Sequence, residues 1–309
     1  MEYINKPDFR LENTAVALGK FEGIHRGHQL LLDEIQKQKE NGLKSVVFTF
    51  DMPPKSVLAG DPVYRQIYTK AERRRYLERQ QIDILIEHPF TKEFASLSPE
   101  DFIREVLIKK AGAKVVVVGT DFHFGKKRSG DTSHLKALEE ALGYRLIVLH
   151  KLCDAEGDIS STRIRALLEK GNMERAGELL GRPYSVCGPV VHGKELGRTI
   201  QIPTINQIVP EHKLIPPNGV YVSRVQIGEK QYYGITNIGV KPTVEDNAVQ
   251  GVETHIFDFD QNVYGQEIEV ELLHYRRPEM KFTSVEKLKS QMMQDIQFGK
   301  EFIQQFDEK

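Results

Sequence analysis

The sequence predicts an α/β domain followed by a β domain: a doubly wound parallel sheet in the N-terminal half, then a small closed β-barrel with a terminal helix. Three observations predict it. The 309 residues exceed what a single core commonly holds, at roughly 150 residues per domain. The first half alternates short apolar, β-branched runs with helical periods, as strands covered on both faces do. After about Gly181-Arg182-Pro183 the helical period stops and turn-separated strands follow one another. Domains are therefore expected at 1–183 and 184–309.

The predicted strands of the first half are Ala15–Leu18, Ser45–Phe50, Ile82–Ile86, Val115–Gly119 and Arg145–Leu149. A helix over Gln29–Glu40 separates the first two. Ser98-Pro99-Glu100-Asp101 signals another helix start: a serine cap, proline at the first helical position and carboxylates at the positive dipole end. Phe102, Val106 and Leu107 form its apolar stripe and Gly112 ends it. Strands of the second half are Val186–Val191, Val220–Ile227, Tyr232–Ile235, Val252–Phe257 and Ile268–Leu273. In the last, Ile268, Val270 and Leu272 alternate with Glu267, Glu269 and Glu271, so one face is buried and the other wet. From Ser284 the helical period returns, with Val285, Leu288, Met292 and Ile296 on the face expected to pack on the barrel.

Composition narrows the function classes. Lysine plus arginine (43) nearly equals aspartate plus glutamate (44), so no overall field draws the chain to nucleic acid or membrane. Cys153 and Cys187 stand far apart without a CxxC partner, which fits a reducing cytosol. The first thirteen residues carry no apolar signal core, and nowhere do about 18 apolar residues run together. The expectation is a cytoplasmic protein, monomeric or weakly oligomeric, without nucleic-acid or membrane partners. Glu72-Arg73-Arg74-Arg75 reads as a solvated helix face. Asp258-Phe259-Asp260-Gln261-Asn262 with Glu269 imitates a calcium loop, but Val263 holds the position that needs glycine, so a hairpin turn is expected.

Three stretches carry chemistry. Leu18-Gly19-Lys20-Phe21-Glu22-Gly23-Ile24-His25-Arg26-Gly27-His28-Gln29 joins a strand to a helix. Its histidines could ligate a metal, hold a phosphate, or merely decorate a turn. Zinc would need a third ligand and would leave the glycines idle. Glycines that admit a bulky ligand, free N–H groups at a helix start and directed imidazole donors suit a triphosphate. Ile159-Ser160-Ser161-Thr162-Arg163-Ile164-Arg165 is an ordinary serine/threonine cap when taken alone. Beside the histidine loop it reads as the opposite wall of a phosphate pocket, because a guanidinium can grip two phosphate oxygens. Gly119-Thr120-Asp121-Phe122-His123-Phe124-Gly125-Lys126 follows a strand toward the same sheet edge.

HxGH after the first strand, the G-D-F-x-F-G-like block and the late ISSTRIR together resemble the adenylyltransferase half of the bacterial bifunctional riboflavin kinase/FMN adenylyltransferase (FAD synthetase) family. The likeness runs through Pro89-Phe90, Leu97–Phe102 and Gly181–Tyr184 into the barrel, and so covers nearly the whole chain. It implies transfer of AMP from ATP to FMN with release of pyrophosphate. The resemblance makes His25 and His28 catalytic phosphate donors. It makes Gly19, Phe21, Gly23, Gly27, Asp121, Ser161, Thr162 and Arg165 the nucleotide site.

The second half resembles the riboflavin kinase module. There Gly193, Gly197 and Arg198, within Gly193–Thr199, would wrap ATP phosphates with backbone N–H groups. Pro203-Thr204-Ile205-Asn206 matches a PTAN-type signature, implying Thr204 and Asn206 as holders of Mg2+. Glu253 matches the family's candidate base. Asn237-Ile238-Gly239 and Lys241-Pro242-Thr243 are further family-like marks. Riboflavin, FMN and FAD are then substrates and products.

Four departures stand out. Glu22 replaces the family's aspartate, Phe50-Asp51-Met52-Pro53-Pro54 lacks a histidine, and His123 occupies a common arginine position. Gln201 stands where glycine is preferred, and would strain the loop if that position needs a positive φ. Two alternatives follow: an adenylyltransferase with a lapsed kinase module, or a flavin-binding regulator without turnover.

Overall fold

Six parallel strands build the first half: β1 (Glu2–Ile4), β2 (Thr14–Leu18), β3 (Lys44–Phe50), β4 (Ile84–His88), β5 (Ala113–Gly119) and β6 (Arg145–Leu149), in the order β1-β4-β3-β2-β5-β6. The computed structural model describes residues 1–52, 57, 64–193, 196–241 and 249–307, in two compact units, Met1–Ser161 and Thr162–Lys309. Alternate side chains of the strands feed two cores, as the period of two dictates. Val16, Leu18, Val46, Phe48, Ile84, Ile86, Val116 and Val118 share one with Phe102, Ile103, Val106 and Leu107. Ala15, Ala17, Val47, Leu85, Val115 and Val117 share the other with Leu31, Leu32, Ile35 and Leu77. Helices α1 (Arg26–Lys37) and α2 (Lys70–Arg79) supply the second core; α3 (a turn at Pro99–Asp101 running into π-helical Phe102–Lys110) and α4 (Thr132–Leu142) supply the first. The doubly covered sheet is the one expected.

Local signals set the helix ends. The Ser98 hydroxyl accepts the Asp101 N–H (3.1 Å) with Pro99 at the first position. Gly112 (φ +60) follows the last turn of α3. Thr69 and Glu72 form a reciprocal capping box on α2.

In the second unit, α5 (Ser161–Glu169, whose first residue ends the first unit) and α6 (Met173–Leu180) precede a closed antiparallel barrel. Its strands are β9 (Tyr184–Val191), β10 (Ile205–Ile208), β11 (Gly219–Ile227), β12 (Lys230–Lys241), β13 (Val249–Ile256) and β14 (Glu267–Arg277), closing in the order β10-β13-β12-β11-β14-β9; the two-residue strands β7 (Cys153–Asp154) and β8 (Gly157–Asp158) form a separate hairpin in the first unit. Ile268, Val270 and Leu272 face the core as expected. Inside, the hydroxyls of Ser223, Thr236 and Thr254 hydrogen-bond in a chain (2.7 and 2.9 Å), so these buried polar groups are satisfied by one another.

Some expectations need correction. β1, β10 and α6 were not anticipated, and β12 runs from Lys230 to Lys241 rather than over Tyr232–Ile235. The terminal helix α7 (Val285–Asp307) does pack on β12 and β11. Its Val285, however, is 47 % exposed. Leu288, Met292 and Ile296 are half-buried as expected, and the helix docks further through buried Asp295, which accepts from the Arg277 guanidinium (2.6 and 3.1 Å), and through Gly299, where a Cβ would meet Ile235.

The arginine run of α2 is not a solvated face. Arg73 is 3 % exposed and pairs with the fully buried Glu87 of β4, and Arg74 reaches the other carboxylate oxygen at 2.7 Å. A buried carboxylate needs such partners, and charge density alone does not reveal them. Burial works to raise the Glu87 pKa, but the Arg73 charge and the hydrogen bonds from Arg74, Arg73 and Tyr3 outweigh it and hold the carboxyl below its ordinary value. The Tyr3 hydroxyl donates to Glu87 (2.8 Å), and burial beside that carboxylate pushes it up to about 12.

Candidate functional site

β2 has β3 on one side and β5 on the other, so the chain's progression across the sheet reverses there. In an open α/β sheet the crevice beyond the strand ends at such a reversal is where ligands bind. Both the histidine loop, after β2, and the Gly119–Gly125 block, after β5, leave the sheet at this point.

The loop's backbone is unusual in a way the sequence did not suggest. Positive φ angles fall on Phe21 (+45°) and Ile24 (+41°), both wholly buried, and not on Gly19, Gly23 or Gly27. Such conformations cost about 1–3 kcal/mol each and persist only where packing enforces them. Gly19 and Gly27 serve the rings. A Cβ at Gly19 would stand 3.0 Å from the Phe21 ring, and one at Gly27 would stand 3.2 Å from His25 Nδ1. Helix α1 begins at Arg26, earlier than expected, so His25 is its N-cap and His28 lies in its first turn. The His25 side chain makes no capping hydrogen bond, and the first turn holds no acidic residue. The first turn therefore supplies no carboxylate of its own to the positive end of the helix dipole, as suits an anion. The His25 and His28 rings stack at 3.8 Å between centroids, and Phe21 lies 4.9 Å from His28. His25 is buried and His28 half-buried.

Glu22 is committed to the scaffold: its carboxylate accepts from the Tyr64 hydroxyl (3.0 Å) and the Ile67 N–H (3.3 Å). Thr49 donates to the Lys20 carbonyl (2.9 Å) and ties the loop to β3. Pro53 and Pro54 lie outside the described residues.

Asp121 is exposed and ion-paired to Lys151 (3.1 Å), which also holds Asp158 of the β7-β8 hairpin (2.9 Å). Those two carboxylates, Asp158 foremost, raise the Lys151 pKa. His123 Nδ1 lies 2.9 Å from the Asp121 carbonyl oxygen, and the Phe122 and Phe124 rings stack at 5.5 Å. Sequence reasoning missed an aromatic group at the ends of β3 and β4: Phe50 packs on Phe90 (4.9 Å) and Phe94 (5.5 Å), and His88 on Phe94 (4.3 Å). Its one signal was the placing of Phe50 and Phe90 at or just beyond the ends of these strands. Burial lowers the His88 pKa.

Ser161 and Thr162 open α5, and Arg165 lies one turn after Ser161 on the same face, while Ile164 and Leu168 are buried on another.

On the barrel the register joins residues distant in sequence. Asn206 of β10 pairs with Glu253 of β13, which pairs with Asn237 of β12. Their neighbours Val252, Thr254, Thr236 and Ile238 are wholly buried, so the three polar side chains share the barrel's outer face. Gly193 packs so closely on the Asn206 amide that any Cβ would collide, and a Cβ at Gly197 would strike the Ile202 carbonyl. The Ile202 N–H donates back to Gly197 (2.8 Å). Gln201 sits inside this turn with φ +64°, the strained geometry that its replacement of glycine foreshadowed. Lys194, Glu195, Pro242, Thr243 and the Arg198 side chain lie outside the described residues.

A sequence profile described as FAD synthetase matches residues 9–163, and one described as riboflavin kinase matches residues 180–303. The chain is 35 % identical over 296 residues to the bifunctional riboflavin kinase/FMN adenylyltransferase of Haemophilus influenzae, covering 95 % of each chain. It is 36 % identical over 295 residues to that of Escherichia coli K12, covering 94 % of this chain and 93 % of the other. A crystal structure of a Streptococcus pneumoniae chain described as a macrolide-efflux protein superposes with a TM-score of 0.83 at 35 % identity, over 96 % of this chain and 97 % of the other. Among the described residues no helix is long and apolar enough to cross a membrane.

Proposed function

The chain belongs to the bifunctional riboflavin kinase/FMN adenylyltransferase family, enzymes of FAD biosynthesis that phosphorylate riboflavin and adenylylate FMN, and we propose which residues carry each step. The stacked His25–His28 pair at the start of α1 is the observation that carries the first assignment. An FMN phosphate oxygen, already ionised at neutral pH, attacks the ATP α-phosphorus; the bond to the bridging oxygen breaks and pyrophosphate leaves. No strong base is needed, so catalysis rests on alignment and on neutralising charge. His25 and His28 donate to the phosphates as charge grows on the leaving group. Gly19, Phe21, Gly23 and Gly27 shape the loop around them, and Ser161, Thr162, Arg165 and Asp121 complete the nucleotide site. The Phe50, Phe90 and Phe122 rings suit the flat isoalloxazine. Residues 1–183 form this functional half, although α6 packs on β14 and β9 of the barrel.

In residues 184–309, Glu253 takes the proton of the riboflavin primary hydroxyl as that oxygen attacks the γ-phosphorus and ADP leaves. Gly193, Gly197 and Arg198 hold the phosphates. The Thr204 hydroxyl and the Asn206 amide oxygen are hard, neutral oxygen donors of the kind that would help hold a magnesium ion, and the close approach of Gly193 to the Asn206 amide fixes one wall of that site. Bound Mg2+ would supply charge neutralisation to both ATP reactions. The strained Gln201 favours the reading with a lapsed kinase, while Thr204, Asn206 and Glu253 are the residues that a working kinase needs. Each site draws on one chain, so a cytoplasmic monomer or weak oligomer, with no nucleic-acid partner, suffices.

Two variants separate the halves. H28N lowers kcat/KM for FMN adenylylation by about 100-fold or more and spares riboflavin phosphorylation. E253Q does the converse, by about 100-fold or more. Steady-state rates with FMN or riboflavin as the starting flavin check both, and equal loss of both activities in either variant contradicts the assignment.

A further inference from the structure

The turn before β10 is fixed from outside by a residue that the catalytic scheme does not use. His255 lies two residues beyond Glu253 on β13 and therefore shares its outer face. Ile205 pairs with Thr254, so His255 stands opposite Thr204, just past the end of the ladder. Its Nδ1 lies 2.8 Å from the Pro203 carbonyl oxygen. A carbonyl only accepts, so Nδ1 carries the proton in either charge state of the ring. The Pro203 carbonyl and the Thr204 N–H belong to one planar peptide. Holding that oxygen therefore orients Thr204 itself.

We infer that His255 is a positioning residue for phosphoryl transfer: it sets the Thr204 hydroxyl beside Asn206 from the same strand that carries Glu253. This rests on the kinase reading above. The turn needs such a clamp, because Pro203 has no N–H to pin it and Gln201 holds an unfavourable φ of +64° just before. The Ile202 N–H anchors one side of the turn to Gly197, and His255 anchors the other.

The full-length chain provides its own control. H255F keeps a ring without the donor, and H255N keeps a short donor that reaches the same carbonyl. In H255F the Mg2+ concentration for half-maximal riboflavin phosphorylation rises about tenfold, the scale of lost support behind a metal ligand, while the riboflavin KM holds. H255N recovers most of the loss, and FMN adenylylation by the same preparations is unchanged. A calorimetric titration of ADP with and without Mg2+ reads the clamp without turnover: the gain in affinity from Mg2+ falls in H255F. Equal Mg2+ dependence in wild type and H255F, by rate and by calorimetry, overturns the inference. So does a loss spread over all constants that H255N does not recover. A wild type that never phosphorylates riboflavin removes the kinase reading instead, and the ADP titration alone then decides whether His255 supports Mg2+ binding.

Discussion

At Gln201 and at the Phe21–Ile24 loop, side chains with a Cβ occupy backbone conformations that favour glycine. At Gln201 the left-handed conformation costs about 1–2 kcal/mol. Glycine would remove it but lose about 0.5–1 kcal/mol to its freer unfolded chain. Q201G therefore stabilises the barrel by up to about 1 kcal/mol in urea unfolding, with riboflavin phosphorylation undiminished; a destabilised or inactive Q201G contradicts this account of the turn. Gln201 was legible because a family glycine there implied a positive φ. Phe21 and Ile24 were not, since three nearby glycines drew the expectation of conformational freedom to themselves. Gly19 and Gly27 instead clear space for the Phe21 and His25 rings, a packing requirement that only the folded loop displays.

The α2-to-β4 connection shows what element-level patterns leave out. Strand and helix alternation followed from periodicity, so β2 to β6 and α1 emerged from apolar spacing. β1 has only three residues and pairs parallel with the distant β4, which no local pattern reports. β10 was hidden because its Ile205 and Asn206 read as the end of a ligand motif and not as a strand. Glu87 ties β4 to α2 and to β1 through Arg73, Arg74 and Tyr3, and its partners lie 13 to 84 residues away in sequence. E87Q strands a buried guanidinium and destabilises the first half by about 3 kcal/mol. The folded Glu87 pKa lies below its ordinary 4.5, so the wild-type advantage over E87Q is complete above about pH 4.5 and fades as pH falls through the lowered folded value. Urea unfolding of both chains at neutral and acid pH checks this. A difference that is small at neutral pH, or that persists at low pH, contradicts the role given to the pair.

At the scale of the whole molecule, two units each carry a separate constellation: paired histidines at the reversal point of a parallel sheet, and an Asn206–Glu253–Asn237 row on a barrel. Local motifs in the sequence pointed to the first constellation almost complete. The second needed register, since Asn206, Asn237 and Glu253 become neighbours only when β10, β13 and β12 pair. If the halves act in series, riboflavin becomes FMN at the barrel and FAD at the sheet, and one preparation performs both steps. The most direct measurement is product analysis of the purified chain with ATP and Mg2+, started from riboflavin in one reaction and from FMN in another. FAD in both reactions, with FMN as a transient in the first, is the predicted result. FAD from FMN alone contradicts the bifunctional account, and FAD in neither, with oxidised and reduced flavin both tried, contradicts catalysis by both sites.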